Sequence, residues 1–193
     1  MPAAPIGRAV VDELKPRHEV VTASRIRGDH KVDLTDLQSI RTLFEQLGKV
    51  DAIVSTAGNV HFGPLLEMTP EQHHVGLSDK LMGQVNLTLE GAKHLNPGGS
   101  VTLVAGTLSK DPIRFGASAS LVNSAIEGFV RAAAIEFPPG IRINVVSPTV
   151  LRESMDTYGA YFRGSEGVLA KRVALAFSKS VEGAQTGQVY FVE

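Results

Sequence analysis

The sequence has no cysteine and no tryptophan, and its charges nearly cancel, with 19 basic and 20 acidic residues and a net charge of −1. Without cysteine there is no disulfide framework and no thiolate site, so we expect a cytoplasmic protein. A nucleic-acid binder would need a basic patch, which this composition does not provide. No uncharged apolar run approaches the ~20 residues of a membrane span, and "MPAAPIG" lacks the charged region of a signal peptide.

Short apolar, β-branched runs alternate with amphipathic segments along the chain. The predicted strands are 19–24, 52–57, 100–106, 141–147 and 188–192. The predicted helices are 6–16, 36–48, Thr69 to about Leu95, 116–137 and 168–181. Continuously apolar strands are typical of a parallel sheet covered on both faces. We therefore predict a single α/β domain over residues 1–193, with a doubly wound parallel sheet and ligands at the carboxyl ends of its strands.

Two capping boxes predict helix starts, and one expected element has no place. Thr35 and Thr69 each precede a glutamine by three residues, which is the capping-box spacing.

A sheet of this kind should open with a strand, yet the first element is the helix 6–16 and only five residues precede it. Either the chain is a shortened form of a longer parent, or "PAAP" takes an extended path that fills the gap.

Five segments, in order, resemble the short-chain dehydrogenase/reductase family, a Rossmann-like group that uses NAD or NADP. They are Arg25 after the first predicted strand, "VDLTD" (32–36), "VSTAG" (54–58), "RINVVSPT" (142–149) and "TGQVYFV" (186–192). The similarity covers roughly residues 6–192. The family's dinucleotide-binding glycine turn survives only as Ile6-Gly7.

The resemblance implies a cofactor site and a preference for NADP over NAD. Arg25 stands where NADP-preferring members place an arginine, whose planar fork suits a ribose 2′-phosphate. The pair Asp33 and Leu34 would border the adenine, and Ala57 and Gly58 would let the backbone approach the adenosine ribose. Pro148 and Thr149 would flank the nicotinamide, with Thr149 replacing the family's usual glycine. Gly7 would be what remains of the phosphate turn. Asp33 has a simpler interpretation as the cap of a turn.

The same alignment shows that the family's catalytic residues are missing. The positions of its serine, tyrosine and lysine hold Gly106, Ala119 and Asn123, and Tyr-x-x-x-Lys occurs nowhere in the chain. General acid catalysis contributes about 10²–10⁴ in rate, which neither glycine nor alanine can supply. Thr107 and other nearby hydroxyls could orient a carbonyl better than protonate it. The family's structural asparagine falls on Lys80.

Lys80 and Asn123 look like an exchange of residue types between two helices. We interpret Lys80 as a cofactor-orienting or proton-donating residue and Asn123 as a partner of the ribose. The alternative is that Lys80 pairs with its neighbour Asp79 or faces solvent, as most lysines on helices do.

Other features have simpler interpretations beside functional ones. The six histidines have no metal-ligand spacing, so no metal site is predicted. Tyr158 and Tyr161 fall in the region that forms a lid over the substrate in the family. They either line a substrate pocket or pack a loop onto the domain. The alanine-rich end of helix 116–137 suits close helix packing, and the resemblance implies a homo-oligomer.

These observations lead to two main functional hypotheses. The first is an NADP-linked oxidoreductase with unusual site residues, acting on a small carbonyl or alcohol. The second is a non-catalytic nucleotide-binding or interaction module. A shortened enzyme form with little activity of its own is a third.

Overall fold

A computed structural model describes residues 5–193 of the chain. Its helices are α1 (Pro5–Leu14), α2 (Leu37–Leu47), α3 (Pro70–Val75), α4 (Gly83–Gly91), α5 (Ala117–Glu136), α6 (Met155–Tyr158) and α7 (Ala170–Glu182). Its strands are β1 (Ala23–Ser24), β2 (His30–Lys31), β3 (Val50–Val54), β4 (Leu95–Val104), β5 (Arg142–Pro148) and β6 (Val189–Val192). A π-helical segment, Gly76–Met82, joins α3 to α4.

Every strand pair within residues 5–193 is parallel, which confirms the predicted α/β class. Four strands form one sheet in the order β3-β4-β5-β6, and β1 pairs with β2 in a separate sheet. Alternate residues of β4 face opposite sides: Val101 and Leu103 pack with α2, α4 and α5, whereas Val104 packs with α1 and α7. Helices therefore cover both faces of the sheet, as a doubly wound fold requires.

The strand predicted at 19–24 is wrong in its extent, because only Ala23 and Ser24 pair. Among the residues described, β1 and β2 pair only with each other and the four-stranded sheet has β3 at its edge, so the segment 19–22 has no ladder partner. The short strand β2 was not predicted. The proposed extended path of "PAAP" falls largely on residues 1–4, which lie outside the described residues, and Pro5 already belongs to α1.

The segment predicted as one helix from Thr69 to about Leu95 is helical from Pro70 to His94. It consists of α3, the π-helical segment, α4 and a final 3₁₀ turn. The capping box is confirmed, since Thr69 Oγ1 accepts from the Gln72 N–H and Gln72 Oε1 accepts from the Thr69 N–H. The other predicted box is wrong. Asp36 caps α2 by accepting from the Gln38 N–H, and the Thr35 hydroxyl donates instead to Asp33. A carboxylate one residue nearer the helix provides the better acceptor.

Candidate active site

The loops that follow β3, β4 and β5 lie at the carboxyl edge of the four-stranded sheet, where ligands bind in doubly wound folds. The π-helical segment borders this edge, because Lys80 reaches the end of β4. Its register is marked by the Gly83 N–H, which donates to the Ser78 carbonyl five residues earlier. The wider turn gives the neighbours Asp79 and Lys80 separate partners. Such segments are frequent at functional sites.

Lys80 is half-buried and turned inward. Its Nζ donates to the Ala105 carbonyl oxygen at 3.0 Å, directly after β4. Burial in low-dielectric surroundings disfavours the charged amine and lowers the pKa of Lys80 to about 8. Lys80 therefore neither pairs with Asp79 nor faces solvent, so that alternative is wrong.

Gly58 makes room for Lys80. Its φ is +136°, and a β-carbon there would lie 2.9 Å from Lys80 Cα and 2.5 Å from Lys80 Cγ. Side chains of L-residues rarely adopt this φ, and the contact with backbone cannot relax. The predicted reason for this glycine was close approach to a ribose. The structure shows a second reason, which is close approach of the turn to the π-helical segment.

Asn123 lies on α5 and is 2% exposed. A β-carbon on Gly106 would lie 3.0 Å from Asn123 Nδ2, so the two positions are in contact. Within residues 5–193, Asn123 Oδ1 has no hydrogen-bond partner. Ala119, one turn earlier, is also 2% exposed and brings no polar group. We call Lys80, Ala105, Gly106, Ala119 and Asn123 the Lys80 cluster.

The hydroxyl groups near the end of β4 differ in whether a side chain of the protein already binds them. Thr107 is buried on a short 3₁₀ turn beside Gly106. Ser109 is committed to structure, because its hydroxyl donates to Glu127 Oε1 at 2.7 Å, as does that of Ser147. The sequence analysis missed Glu127. Its position four residues after Asn123 on the same face of α5 was the available signal.

Gln84 is a second residue that sequence reasoning missed. It is fully buried, and its Nε2 donates to the carbonyls of Lys80 and Val104, at 3.0 and 2.9 Å. Its Oε1 accepts from the Val104 N–H at 2.9 Å. One carboxamide therefore fixes the π-helical segment against the last residue of β4. The sequence of α4 carries no clear signal for this role, because Asn86, Thr88 and Glu90 in the same helix are polar as well.

Arg25 lies among carboxylates. Its Nη2 is 2.8 Å from Asp79 Oδ1 and its Nε is 3.4 Å from Asp33 Oδ1. The other oxygen of Asp79 accepts from the backbone and side-chain N–H groups of Asn59. We call Arg25, Asp33, Asn59 and Asp79 the Arg25 cluster. A ribose 2′-phosphate that binds Arg25 must therefore compete with Asp79.

Asp33 and Leu34 have local structural roles. Asp33 Oδ1 accepts from the N–H and the hydroxyl of Thr35, and these bonds, with a smaller contribution from Arg25, lower the pKa of Asp33. This is the turn cap that the simpler interpretation described. Leu34 is 8% exposed and its side chain packs in the core beside Gly83.

The remaining predicted residues lie around the same edge. Gly7 on α1 approaches Thr56, since a β-carbon at position 7 would lie 3.0 Å from Thr56 Oγ1. Ala57 is exposed in the loop after β3. Pro148 ends β5, and the Thr149 N–H donates to the Val192 carbonyl at 2.9 Å.

The residues present fit a nicotinamide dinucleotide at two points. The unpartnered Asn123 Oδ1 is a buried acceptor that a ribose hydroxyl would satisfy. The Arg25 guanidinium is a donor for a 2′-phosphate.

Within residues 5–193, no three histidine or acidic side chains are grouped so as to hold a metal ion. No helix in that range is long and apolar enough to cross a bilayer.

The family model described as enoyl-(acyl carrier protein) reductase matches residues 6–189, almost the whole chain. The chain belongs to the short-chain dehydrogenase/reductase family. This confirms the resemblance seen in the sequence. The family's single Rossmann-like fold agrees with the parallel sheets and flanking helices described above.

Curated relatives of this family member carry reductase names. A trihydroxynaphthalene reductase of Pestalotiopsis fici is 32% identical over 149 residues, which are 71% of this chain and 52% of the relative. A tetrahydroxynaphthalene reductase of Pyricularia oryzae is 30% identical over 152 residues, again 71% of this chain and 52% of the relative. The chain thus spans about half the length of the curated relatives it matches.

Solved structures match over nearly the full chain. The protein lin1944 from Listeria innocua is 51% identical, with a TM-score of 0.97, covering 99% of this chain and 96% of that one. A small-chain dehydrogenase in complex with NADPH is 24% identical, with a TM-score of 0.85, covering 99% and 93%. The second likeness shows the fold alone.

Proposed function

We propose that this family member is an NADP-linked oxidoreductase that transfers a hydride to or from a small carbonyl or alcohol, with Lys80 in the proton-donating role. The observation that carries the proposal is the inward-facing Lys80 ammonium, 3.0 Å from the Ala105 carbonyl. Ala105 directly precedes Gly106, the position that would hold serine in other family members, and α5 carries Ala119 at the tyrosine position.

The chemistry of a proton donor suits Lys80. A pKa of about 8 leaves the amine mostly protonated at neutral pH, yet far more acidic than an ordinary lysine. During reduction, Lys80 would give its proton to the oxygen of the substrate carbonyl, become a neutral amine and regain a proton from solvent. In the alcohol direction it would take the proton. Thr107 would orient the substrate oxygen without giving up a proton of its own.

The cofactor would be held by residues from both clusters. NADPH, when bound, supplies the hydride. Arg25 would bind the 2′-phosphate, Asp33 and the Ala57–Gly58 turn would face the adenosine, and Asn123 would accept from the nicotinamide ribose. Pro148 and Thr149, at the end of β5, would flank the nicotinamide, and Gly7 would lie near the diphosphate. Arg25, whose guanidinium suits a 2′-phosphate, favours NADP over NAD.

Titration of the purified chain with NADPH and with NADH, followed by nicotinamide fluorescence and thermal shift, tests the cofactor. We expect binding with a preference for NADPH. A carbonyl screen then compares wild type with Lys80→Ala, which should lose roughly 100-fold in turnover with little change in cofactor affinity. Lys49→Ala is the matched control, because Lys49 also donates to a backbone carbonyl, that of Lys93, but at the exposed surface.

Two results would contradict this proposal. If neither nicotinamide cofactor binds, the oxidoreductase function is wrong for this chain. If Lys80→Ala turns over as fast as wild type, the role of Lys80 is wrong.

A second candidate is a non-catalytic nucleotide-binding module. It is favoured by the buried Ala119, which leaves the family's acid position without a hydroxyl. NADPH binding without turnover of any carbonyl would support it over the enzyme.

We also propose a homo-oligomer built on α5. Leu121 and Ile135 on this helix are 48% and 86% exposed, and a β-carbon on Gly128 between them would touch nothing within 4 Å. A second copy of this helix would cover that apolar face. Light scattering after size exclusion should give at least a dimer, and a monomer at all concentrations would contradict it. A cytoplasmic location stays a prediction.

A further inference from the structure

A cavity of about 610 Å³ lies between the loop after β4 and the segment after β5. Its lining residues are Ile113, Arg114, Phe115, Ala160, Tyr161 and Arg163. This volume is within the usual range for small-molecule sites. The lining combines apolar and aromatic walls with two guanidinium groups.

Aromatic contacts connect this cavity to the carboxyl edge of the sheet. Phe62, in the loop after β3, packs on Tyr158 and Tyr161 with ring centroids 6.2 and 5.8 Å apart. Tyr161 in turn meets Phe115 edge-on at 6.3 Å. The Gly63 N–H donates to the Phe115 carbonyl at 3.1 Å. The loops after three neighbouring strands therefore meet at the cavity, on the side of the sheet where the Lys80 cluster lies.

The backbone at the cavity is strained. Phe115 has a φ of +67°, the one positive value for a non-glycine residue in the described chain. A bulky residue in this conformation costs of the order of 1–3 kcal/mol and persists where surrounding contacts enforce it. In this conformation the Phe115 ring lies against Tyr161, and the neighbouring Arg114 lies in the cavity wall.

The charge of the cavity is one-sided. Across residues 5–193, Arg114 and Arg163 have no hydrogen-bonded or ionic partner, and none of the six described lining residues is acidic. By contrast, Arg25, Arg41 and Arg152 each lie beside a carboxylate. Two unpaired guanidiniums in one wall favour an anionic ligand, and the planar fork of arginine matches the two oxygens of a carboxylate. The aromatic walls suit a flat apolar body.

We infer that this cavity binds the substrate, and that the substrate class is a carbonyl compound with an aromatic or flat apolar body and a carboxylate, which Arg114 and Arg163 recognise. The anion-binding part stands on the cavity itself. The carbonyl part rests on the proposed function. The carboxylate would hold the far end of the molecule while its carbonyl points toward the sheet edge.

A matched pair of probes tests the inference: 4-formylbenzoate and its uncharged methyl ester, which differ only in the carboxylate. Each is titrated into the cofactor-free chain and followed by NMR. We expect the acid to bind roughly tenfold tighter than the ester, since each charge-assisted hydrogen bond is worth more than a neutral one. Raising the salt concentration should reduce this preference, because the arginines are exposed.

Substitutions of the two cavity arginines test whether they cause the preference for the acid. Arg114→Ala and Arg163→Ala should each reduce the preference for the acid, and the double variant should bind acid and ester equally. Arg163→Lys should retain part of it, because the charge remains but the fork is lost. Arg172→Ala is the control, since Arg172 is exposed on α7 and lies outside this cavity. All three arginine side chains are exposed, and a melting curve checks that each variant is folded.

The outcomes separate this inference from the proposed function. Equal binding of acid and ester, or a preference that survives the double substitution, overturns the inference even if NADPH-dependent turnover is found. An arginine-dependent preference supports the anion site even if neither cofactor binds, in which case only the oxidoreductase function fails. Arginine-dependent reduction of the acid by NADPH supports both.

Discussion

The Arg25 cluster and the Lys80 cluster each include one residue of the π-helical segment, Asp79 or Lys80, and are built in opposite ways. In the Arg25 cluster each charged group already has a partner: Arg25 lies beside two carboxylates, and Asp79 also accepts from Asn59. In the Lys80 cluster the ammonium meets only a neutral carbonyl, and the Asn123 Oδ1 lacks a partner in the described chain.

The difference indicates how each side would use a ligand. A phosphate that binds Arg25 must displace the carboxylate of Asp79, so the preference for NADP over NAD depends on how strongly Asp79 holds Arg25. A ligand at the Lys80 cluster would fill an open hydrogen-bonding position, so it adds bonds without breaking any. Asp79 and Lys80 are adjacent in sequence, which means that a shift of this one segment affects both sides.

Gly58→Ala should have the largest effect, because it pushes the π-helical segment at Lys80 away from the turn after β3. A β-carbon would meet Lys80 Cα at 2.9 Å, at a φ of +136° that alanine avoids. We expect a loss of about 3 kcal/mol in unfolding free energy, measured by urea denaturation. Gly98→Ala is the control, since Gly98 also has a positive φ but nothing lies within 4 Å. It should cost about 1 kcal/mol. Equal losses would mean that the contact with Lys80 is unimportant.

Lys80→Met tests the Lys80 cluster through the pH dependence of stability. The pKa of Lys80 is about 8 in the folded chain and its ordinary value is 10.5, so the unfolded chain binds more protons between these values. Wild-type stability relative to the variant should therefore rise as pH increases from about 8 to 10.5, by up to about 3 kcal/mol. The measurement is urea denaturation at a series of pH values.

Lys49→Met provides the comparison for this experiment. Lys49 is exposed, so its variant should follow the wild-type pH profile. If the profiles of wild type and Lys80→Met stay parallel through this window, the ammonium is not desolvated.

Asp79→Asn should have a smaller effect, confined to the Arg25 cluster. An amide keeps an acceptor for Asn59 but weakens the hold on Arg25, leaving the guanidinium freer for a 2′-phosphate. We expect the ratio of NADH to NADPH dissociation constants to rise roughly three- to tenfold. Asp33→Asn should change it less, since that ion pair is longer, at 3.4 Å, and more exposed. An unchanged ratio would show that Asp79 does not compete with the phosphate.

Much of the fold could be predicted because it depends on local patterns. The apolar runs of β4 and β5 and the helical spacing on α5 repeat over many residues, so tertiary contacts only adjust their ends. The segment 19–22 failed because strand formation needs a partner, and its sequence alone does not say whether one is present.

The site was harder to predict because its chemistry depends on pairing across distant segments. That Lys80 faces inward follows from a π-helical turn, whose signal is limited to glycines at positions 76 and 83. That Arg25 meets Asp79, 54 residues away, has no periodic signature at all. The resemblance located the right strand ends, but it could not show which side chains already occupy one another.

The separation of the β1–β2 ladder from the main sheet has a consequence for dynamics. A two-stranded ladder is marginal by itself, and this one adjoins the core through Val20 before it and Val32 and Leu34 after it. Its amide protons should exchange with deuterium through local opening, well before those of β4 and β5. Arg25 directly follows β1, so a cofactor that binds Arg25 would also stabilise this ladder. A tightly bound cofactor should therefore also slow the exchange of the amide protons in β1 and β2.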